Sequence, residues 1–210
     1  MICFRATAKN SLSTSFKVYK LKTINIAIFV SGGGTNCENL IRHFSGSTTV
    51  HVALVVSSRA DALALERAQR QGVPTAVITK SQLSDPTQVM PLLRSYGVSF
   101  IVLAGFLPLV PDYLIDAFPR RIINLHPALL PKYGGKGMYG HHIHEAVKAA
   151  GEKETGITIH YVNNELDAGE HIAQFKVALS DEDTADTIAA KIHELEQAHF
   201  PEVIESVIKA

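Results

Sequence analysis

From residue 24 onward the chain alternates short, continuous β-branched runs with stretches of helical spacing. That alternation narrows the available folds more than any other feature. The runs are 24–30 (INIAIFV), 50–57 (VHVALVVS), 74–79 (PTAVIT), 100–104 (FIVLA) and 121–125 (RIINL). Unbroken apolar runs suit strands covered on both faces, as in a parallel sheet between two layers of helices. Helical spacing fills 36–45, 61–71, 86–96 and 111–117. Asp61 is positioned to cap the second of these, whose Ala62, Leu65 and Ala68 share a face, and Gly72 to stop it. Strand–helix–strand units with right-handed crossovers follow. After a glycine-rich stretch at 134–140 the rhythm changes. A helix at 141–150 precedes strands at 155–163 and 170–179, joined through NELDAG as an antiparallel hairpin at the sheet edge. A closing helix runs from about 184 to 199, with Ile188, Ile192 and Leu195 in one stripe and a kink or restart at Pro201. The expected fold is α/β: a Rossmann-like, doubly wound, mostly parallel sheet with a C-terminal antiparallel hairpin and closing helix.

Residues 1–22 differ, with Arg5, Lys9, Lys17, Lys20 and Lys22 and no acidic side chain. A Ser-rich, acid-poor segment of this kind resembles an organellar transit peptide. The plainer alternative is a disordered basic extension, or a start assigned too far upstream. Either way the expectation is an extension at 1–22 and one domain at 23–210, divided into halves 23–125 and 126–210. Twenty basic and 20 acidic side chains leave no basic excess for wrapping nucleic acid. A hydrophobic content of 46% excludes a disordered chain. The apolar runs fall far short of the roughly 20 residues of a membrane helix. Cys3 and Cys37 are too few for a disulfide scaffold, which fits a reducing compartment. The expected setting is cytoplasmic, with neither nucleic acid nor membrane as partner.

Four groups of residues could carry chemistry. SGGGTN at 31–36 follows the first strand and opens a helix, an arrangement that brings backbone N–H groups and a helix dipole to an anion. Gly34, Thr35 and Asn36 would cradle a single phosphate; Cys37 and the missing lysine exclude the dinucleotide and Walker A patterns. The alternative is a tight turn with no ligand. Asn124 and His126 lie two apart at the end of the fifth strand and so share a face at the edge where such sheets bind ligands. An amide beside an imidazole can stabilise an oxyanion and move a proton, although an isolated pair of this kind is more often a polar strand end. Asp167 in the hairpin turn is the carboxylate available to pair with a histidine, or simply turn chemistry. His141, His142, His144 and His160 invite a metal reading, but no Cys or carboxylate partners stand at matching spacing, so solvated histidines are the expectation.

Taken in order, SGGGTN (31–36), VLAGFLPLV (102–110), INLHPALLPKY (123–133), GITIHYV (156–162), ELDAG (165–169) and LEQAHFP (195–201) resemble the phosphoribosylglycinamide formyltransferase family, within the wider formyl-folate transferases. The resemblance covers about 24–208. It implies transfer of the formyl group of 10-formyltetrahydrofolate to the primary amine of glycinamide ribonucleotide through a tetrahedral intermediate, with no metal. It assigns Asn124 to the oxyanion, protonated His126 to its further stabilisation, and Asp167 to holding the imidazolium and assisting proton transfer. A carboxylate beside His126 is expected to raise its pKa. Gly34, Thr35 and Asn36 would meet the substrate phosphate, and His193 and Glu196 its amine or ribose end. The folate would lie along Leu107, Pro108, Leu109 and Val110 and under Asn163, Asn164, Glu165, Leu166 and Asp167, with Asn124 also in reach. The halves then become phosphate-binding (23–125) and folate-side (126–210), in a monomer or weak homodimer.

Two departures from the family pattern stand out. YGGKGMYGHH is longer and richer in glycine than the family's usual stretch, and Pro108 offers no backbone donor. The rivals are a methionyl-tRNA formyltransferase, expected to carry a further C-terminal nucleic-acid-binding region, and a formyl-folate hydrolase, expected to carry an N-terminal regulatory domain. A third is a non-catalytic phosphate- or nucleotide-binding module.

Overall fold

The computed structural model describes residues 23–210, so the expectations for residues 1–22 lie outside it. The strands are β1 (Ile24–Val30), β2 (Val50–Ser57), β3 (Thr75–Val77), β4 (Val98–Leu103), β5 (Ile122–His126), β6 (Glu154–Tyr161) and β7 (His171–Ala178). They form one seven-stranded sheet in the order β3-β2-β1-β4-β5-β6-β7. Pairing is parallel from β3 to β5, then antiparallel between β5 and β6 and between β6 and β7. The expected doubly wound sheet with an antiparallel C-terminal edge is therefore present.

The continuous apolar runs are explained by coverage on both faces. Ile26, Ile28 and Val30 point into one core with α1 (Thr35–Phe44), α2 (Leu63–Arg70), α6 (His141–Ala149) and α7 (Ala185–Lys209). Ala27 and Phe29 point into the other with α3 (Lys80–Leu83), α4 (Pro86–Ser95) and α5 (Asp112–Ala117). Among the described residues no helix is long and apolar enough to cross a membrane. Cys37 is buried in the first core, where desolvation pushes its thiol up to about 12.

Several local expectations need correction. Asp61 does not cap α2; Ala62 occupies the cap without a side-chain bond, and Asp61 is drawn to Arg59 at 2.7 Å. The third strand is only Thr75–Val77, because Thr79 starts α3 with a reciprocal cap to Gln82. The hairpin connection is the long stretch 162–170 rather than a short turn. The closing helix does not stop near Pro201: α7 runs on to Lys209, with Pro201 itself, Phe200 and Ile204 buried. The lost N–H bond at the proline is offset by that burial, since apolar packing rather than propensity holds most helices in place. If so, Ile204→Ala should lower unfolding free energy by about 2–5 kcal/mol in urea melts. A loss below about 0.5 kcal/mol, the usual effect of a surface change, would show that the helix past Pro201 adds nothing to the core.

Candidate active site

Two polar clusters lie along the edge formed by the C-terminal ends of β1, β4 and β5, the edge at which open α/β sheets bind ligands. β4 separates β1 from β5, so those strand ends stand about 10 Å apart across two inter-strand spacings.

The first cluster is built on the turn from β1 into α1. Ser31 Oγ lies 2.7 Å from Ser58 Oγ and accepts the Leu107 N–H at 2.9 Å, tying the ends of β1, β2 and β4 together. Gly34 enters α1 with φ 77° and no side-chain cap, which leaves the first-turn N–H groups of the helix to solvent or an anion. A Cβ at Gly34 would run into Ala64 at the start of α2, so glycine is required by the close approach as well as by φ. Thr35 is exposed. The Asn36 side chain, in contrast, is already engaged. Its Nδ2 donates to Glu196 Oε2 at 2.9 Å and its Oδ1 accepts from Gln197 Nε2 at 2.7 Å, joining α1 to α7. His193 Nδ1 stands 3.5 Å from the same Glu196 oxygen. Burial pushes Glu196 above the usual carboxylate range, opposed by Asn36 and His193.

The second cluster depends on strand register. Asn124 and His126 occupy alternate positions of β5, and the antiparallel partner β6 sets His160 opposite Asn124 and Thr158 opposite His126. Because the flanking Ile123, Leu125, Ile157 and Ile159 fill the core on the α1–α7 side, these four polar residues share the opposite face. Asn124 Nδ2 lies 3.1 Å from His160 Nε2, while His160 Nδ1 lies 2.9 Å from the Tyr161 carbonyl. An amide nitrogen only donates and a carbonyl only accepts, so His160 is the neutral Nδ1–H tautomer. His126 Nε2–H donates to the Tyr133 carbonyl at 2.8 Å, which turns Nδ1 toward Asp167 Oδ1 at 3.6 Å. Asp167, at φ 55° in the hairpin connection, also lies 3.9 Å from His160 Nε2 and accepts the Gly135 N–H at 2.9 Å. The left-handed conformation, tolerated by aspartate, aims its carboxylate inward.

Asn124, His126 and Asp167 are thus brought together as the family resemblance implies, with His160 as a fourth member that sequence reasoning left among solvated histidines. The signal was the alternation of GITIHYV, which sets His160 on the Asn124 face once β6 is paired with β5. The expected rise in the His126 pKa is reversed: burial lowers it, and Asp167 and the Tyr133 carbonyl only partly counter that. His160 is lowered in the same way, by burial first. His144 is also buried rather than solvated, and its Nδ1 has no hydrogen-bond partner. His141 and His142 are exposed. Among the described residues no group of three or more His, Cys, Asp or Glu side chains is arranged to hold a metal ion.

Two loops wall this cluster. Leu107 and Leu109 are 58% and 69% exposed and Leu166 is 48% exposed, an apolar lining that suits a flat heterocycle. Asn164 Nδ2 donates to Asp112 Oδ1 at 2.9 Å, bracing the hairpin connection against the start of α5. Asn163 Oδ1 accepts the Glu165 N–H at 3.0 Å and shapes the turn locally. Pro108 and Val110 are half-buried.

A doubly wound sheet here brings an amide, two imidazoles and a carboxylate to one strand end, beside a glycine-rich strand–helix turn whose first N–H groups are open to an anion. The chain belongs to the formyl transferase family, which it matches over residues 24–204. It is 40% identical over 188 residues to the chloroplastic phosphoribosylglycinamide formyltransferase of Arabidopsis thaliana, a match covering 87% of this chain and 64% of the plant protein. It therefore spans slightly less than two thirds of that relative's length. It is 36% identical over 184 residues to the phosphoribosylglycinamide formyltransferase of Haemophilus influenzae, covering 85% of this chain and 84% of that one. The solved phosphoribosylglycinamide formyltransferase of Anaplasma phagocytophilum superposes with a TM-score of 0.81 at 35% identity, covering 90% and 88% of the two chains.

Buried neutral histidines make stability depend on acid. His126, His144 and His160 all titrate below the ordinary value of 6.5 in the fold. Between that lowered range and 6.5 the unfolded chain binds more protons, so stability is full above about pH 6.5 and falls as pH drops through the folded values. Glu196, shifted upward, acts with the opposite sign. The urea midpoint should fall from pH 7 to pH 5.5, and His144→Leu, outside the cluster, should flatten that slope. A midpoint independent of pH over this range would contradict the burial of these rings.

Proposed function

We propose that this chain transfers the formyl group of 10-formyltetrahydrofolate to the primary amine of glycinamide ribonucleotide, a step of purine biosynthesis. The observation that carries the reading is the convergence of Asn124, His126 and Asp167 at the β5 edge in a chain whose relatives bear the name of that enzyme. In this account residues 23–125 form the phosphate-binding half and residues 126–210 the folate-side half. The first-turn N–H groups of α1 and the Thr35 hydroxyl hold the substrate phosphate. The Asn36 amide acts one step back, by holding Glu196 for the amine or ribose end together with His193. The leucines at 107, 109 and 166 receive the pterin, and Leu107 contributes its side chain only, since its N–H is already given to Ser31. The folate supplies the formyl group.

The remaining chemistry belongs to the chain. Attack of the amine on the formyl carbon forms the new C–N bond and drives charge onto the formyl oxygen, to which the Asn124 amide donates; collapse of this tetrahedral intermediate breaks the bond to the folate N10, which takes up a proton and leaves as tetrahydrofolate. His126 Nδ1, facing Asp167, takes up the proton that the attacking amine loses and then adds a second stabilising donor. Asp167, 3.6 Å from Nδ1, favours that imidazolium electrostatically and assists the onward transfer of the proton. Burial keeps His126 neutral at rest, so it is free to accept the proton when needed.

A spectrophotometric assay tests this with each substrate omitted in turn. Turnover is expected only with both. Asn124→Ala should lower kcat by about 10²–10³-fold and His126→Ala by about 10²–10⁴-fold. Asp167→Asn should cost orders of magnitude in kcat while leaving folate affinity nearly intact. Deformylation without the amine would indicate a hydrolase, and binding without turnover a non-catalytic module; either would overturn the proposal.

A further inference from the structure

The segment Tyr133–Gly135 touches both ionisable partners of the catalytic cluster through its backbone. The Tyr133 carbonyl accepts from His126 Nε2 at 2.8 Å, and the Gly135 N–H donates to Asp167 Oδ2 at 2.9 Å. Between them Gly134 is wedged against the cluster, for a Cβ there would come within 2.6 Å of Leu130 Cδ2 and 3.3 Å of Asp167 Cβ. Tyr133 itself sits at φ 57°, a conformation that a bulky residue adopts only when its surroundings enforce it. Its side chain is tied at the far end. The phenol donates to Glu152 Oε1 at 2.9 Å, and the Lys132 ammonium donates to that same oxygen at 2.9 Å. Glu152 follows directly on the turn that ends α6, where its N–H bonds the Val147 carbonyl at 3.4 Å. The anchor therefore belongs to the scaffold and not to the glycine-rich loop. The pairing has a definite proton direction: burial and Glu152 push the Tyr133 phenol up to about 12, while Lys132 and Tyr133 hold Glu152 below the usual carboxylate range.

We propose that Tyr133 is a positioning residue for His126: its phenol, pinned on Glu152, holds the Tyr133 carbonyl against His126 Nε2, so that the imidazole keeps its proton there and presents a bare Nδ1 to Asp167. A lone pair at Nδ1 is what a base needs on the side facing the carboxylate, and the opposite tautomer would fill it in advance. The peptide carbonyl fixes the tautomer because it can only accept. Without the anchor, the left-handed turn relaxes, the carbonyl swings away and both tautomers become available. This inference rests on the formyl-transfer reading of His126 for its kinetic consequence, whereas its structural core concerns the tautomer alone.

The test separates the two. In ¹⁵N NMR at pH 7.5 the wild-type His126 ring is expected to show one protonated nitrogen, Nε2, and one bare nitrogen, Nδ1. Tyr133→Phe, which removes only the hydroxyl, is expected to move the two resonances toward each other by tautomer averaging. It should also lower kcat about tenfold, with KM for both substrates within twofold of wild type and an unchanged far-UV spectrum. Glu152→Leu should reproduce both effects. Glu152→Gln, which keeps an acceptor oxygen but not the charge, should retain the wild-type tautomer and rate. Wild-type His126 resonances in Tyr133→Phe would overturn the proposal, as would a Glu152→Gln protein as impaired as Glu152→Leu. If the resonances shift as expected but no variant, wild type included, forms product from glycinamide ribonucleotide, the positioning role stands and the functional reading fails.

Discussion

The antiparallel pairing of β5 with β6 is the constraint from which the candidate site follows. In a wholly parallel sheet the next strand would arrive through a crossover helix, and its residues would have no fixed partner from the hairpin connection. Reversal at β6 sets His160 beside Asn124 and brings the chain out beside Ile122 and Ile123 at the start of β5, from where the connection 162–170 carries Asp167 back to His126. A slip of β6 by one residue would turn Thr158 and His160 into the α1–α7 core and bring Ile157 and Ile159 to the site. The filled core on that side, with Ile123, Leu125, Ile157 and Ile159 all buried, makes such a slip costly. Hydrophobic packing on one face of the sheet thus fixes the chemistry on the other.

The electrostatic balance of the cluster follows from the same burial. Two imidazoles and one carboxylate share a nearly dry space, and desolvation outweighs attraction to Asp167 at 3.6 and 3.9 Å. The resting state is therefore neutral rings beside a carboxylate, each ring held in one tautomer by a peptide carbonyl. The phosphate-side cluster shows a related economy, in which Asn36 bonds α7 rather than pointing outward and Glu196 is held at the mouth by a neutral donor. In both clusters the groups facing the ligand are positioned by partners that are already satisfied.

Much of this architecture was readable in the residues. β1 and β2 have the expected bounds because burial on both faces demands unbroken β-branched runs, a pattern few other structures share. Asn124 and His126 were visible as a pair because strand alternation is local. Asp167 was not reachable by periodicity, since its approach depends on where a nine-residue connection lands, and only the family resemblance pointed to it. His160 was missed for a related reason: its role appears only when the register with β5 is known. The helix past Pro201 and the buried His144 were missed because local propensity and polarity were read without the core that overrides them. The Asp61 cap failed to competition from Arg59 two residues away.

The central claim is that His126 is a buried, neutral base whose basicity is sustained by Asp167 against desolvation. Titrating the His126 ring by NMR in the wild type and in Asp167→Asn measures both halves of that claim. The account predicts a wild-type pKa below the ordinary 6.5 and a lower one in the variant. A wild-type value at or above 6.5, or one that Asp167→Asn leaves unmoved, would contradict it.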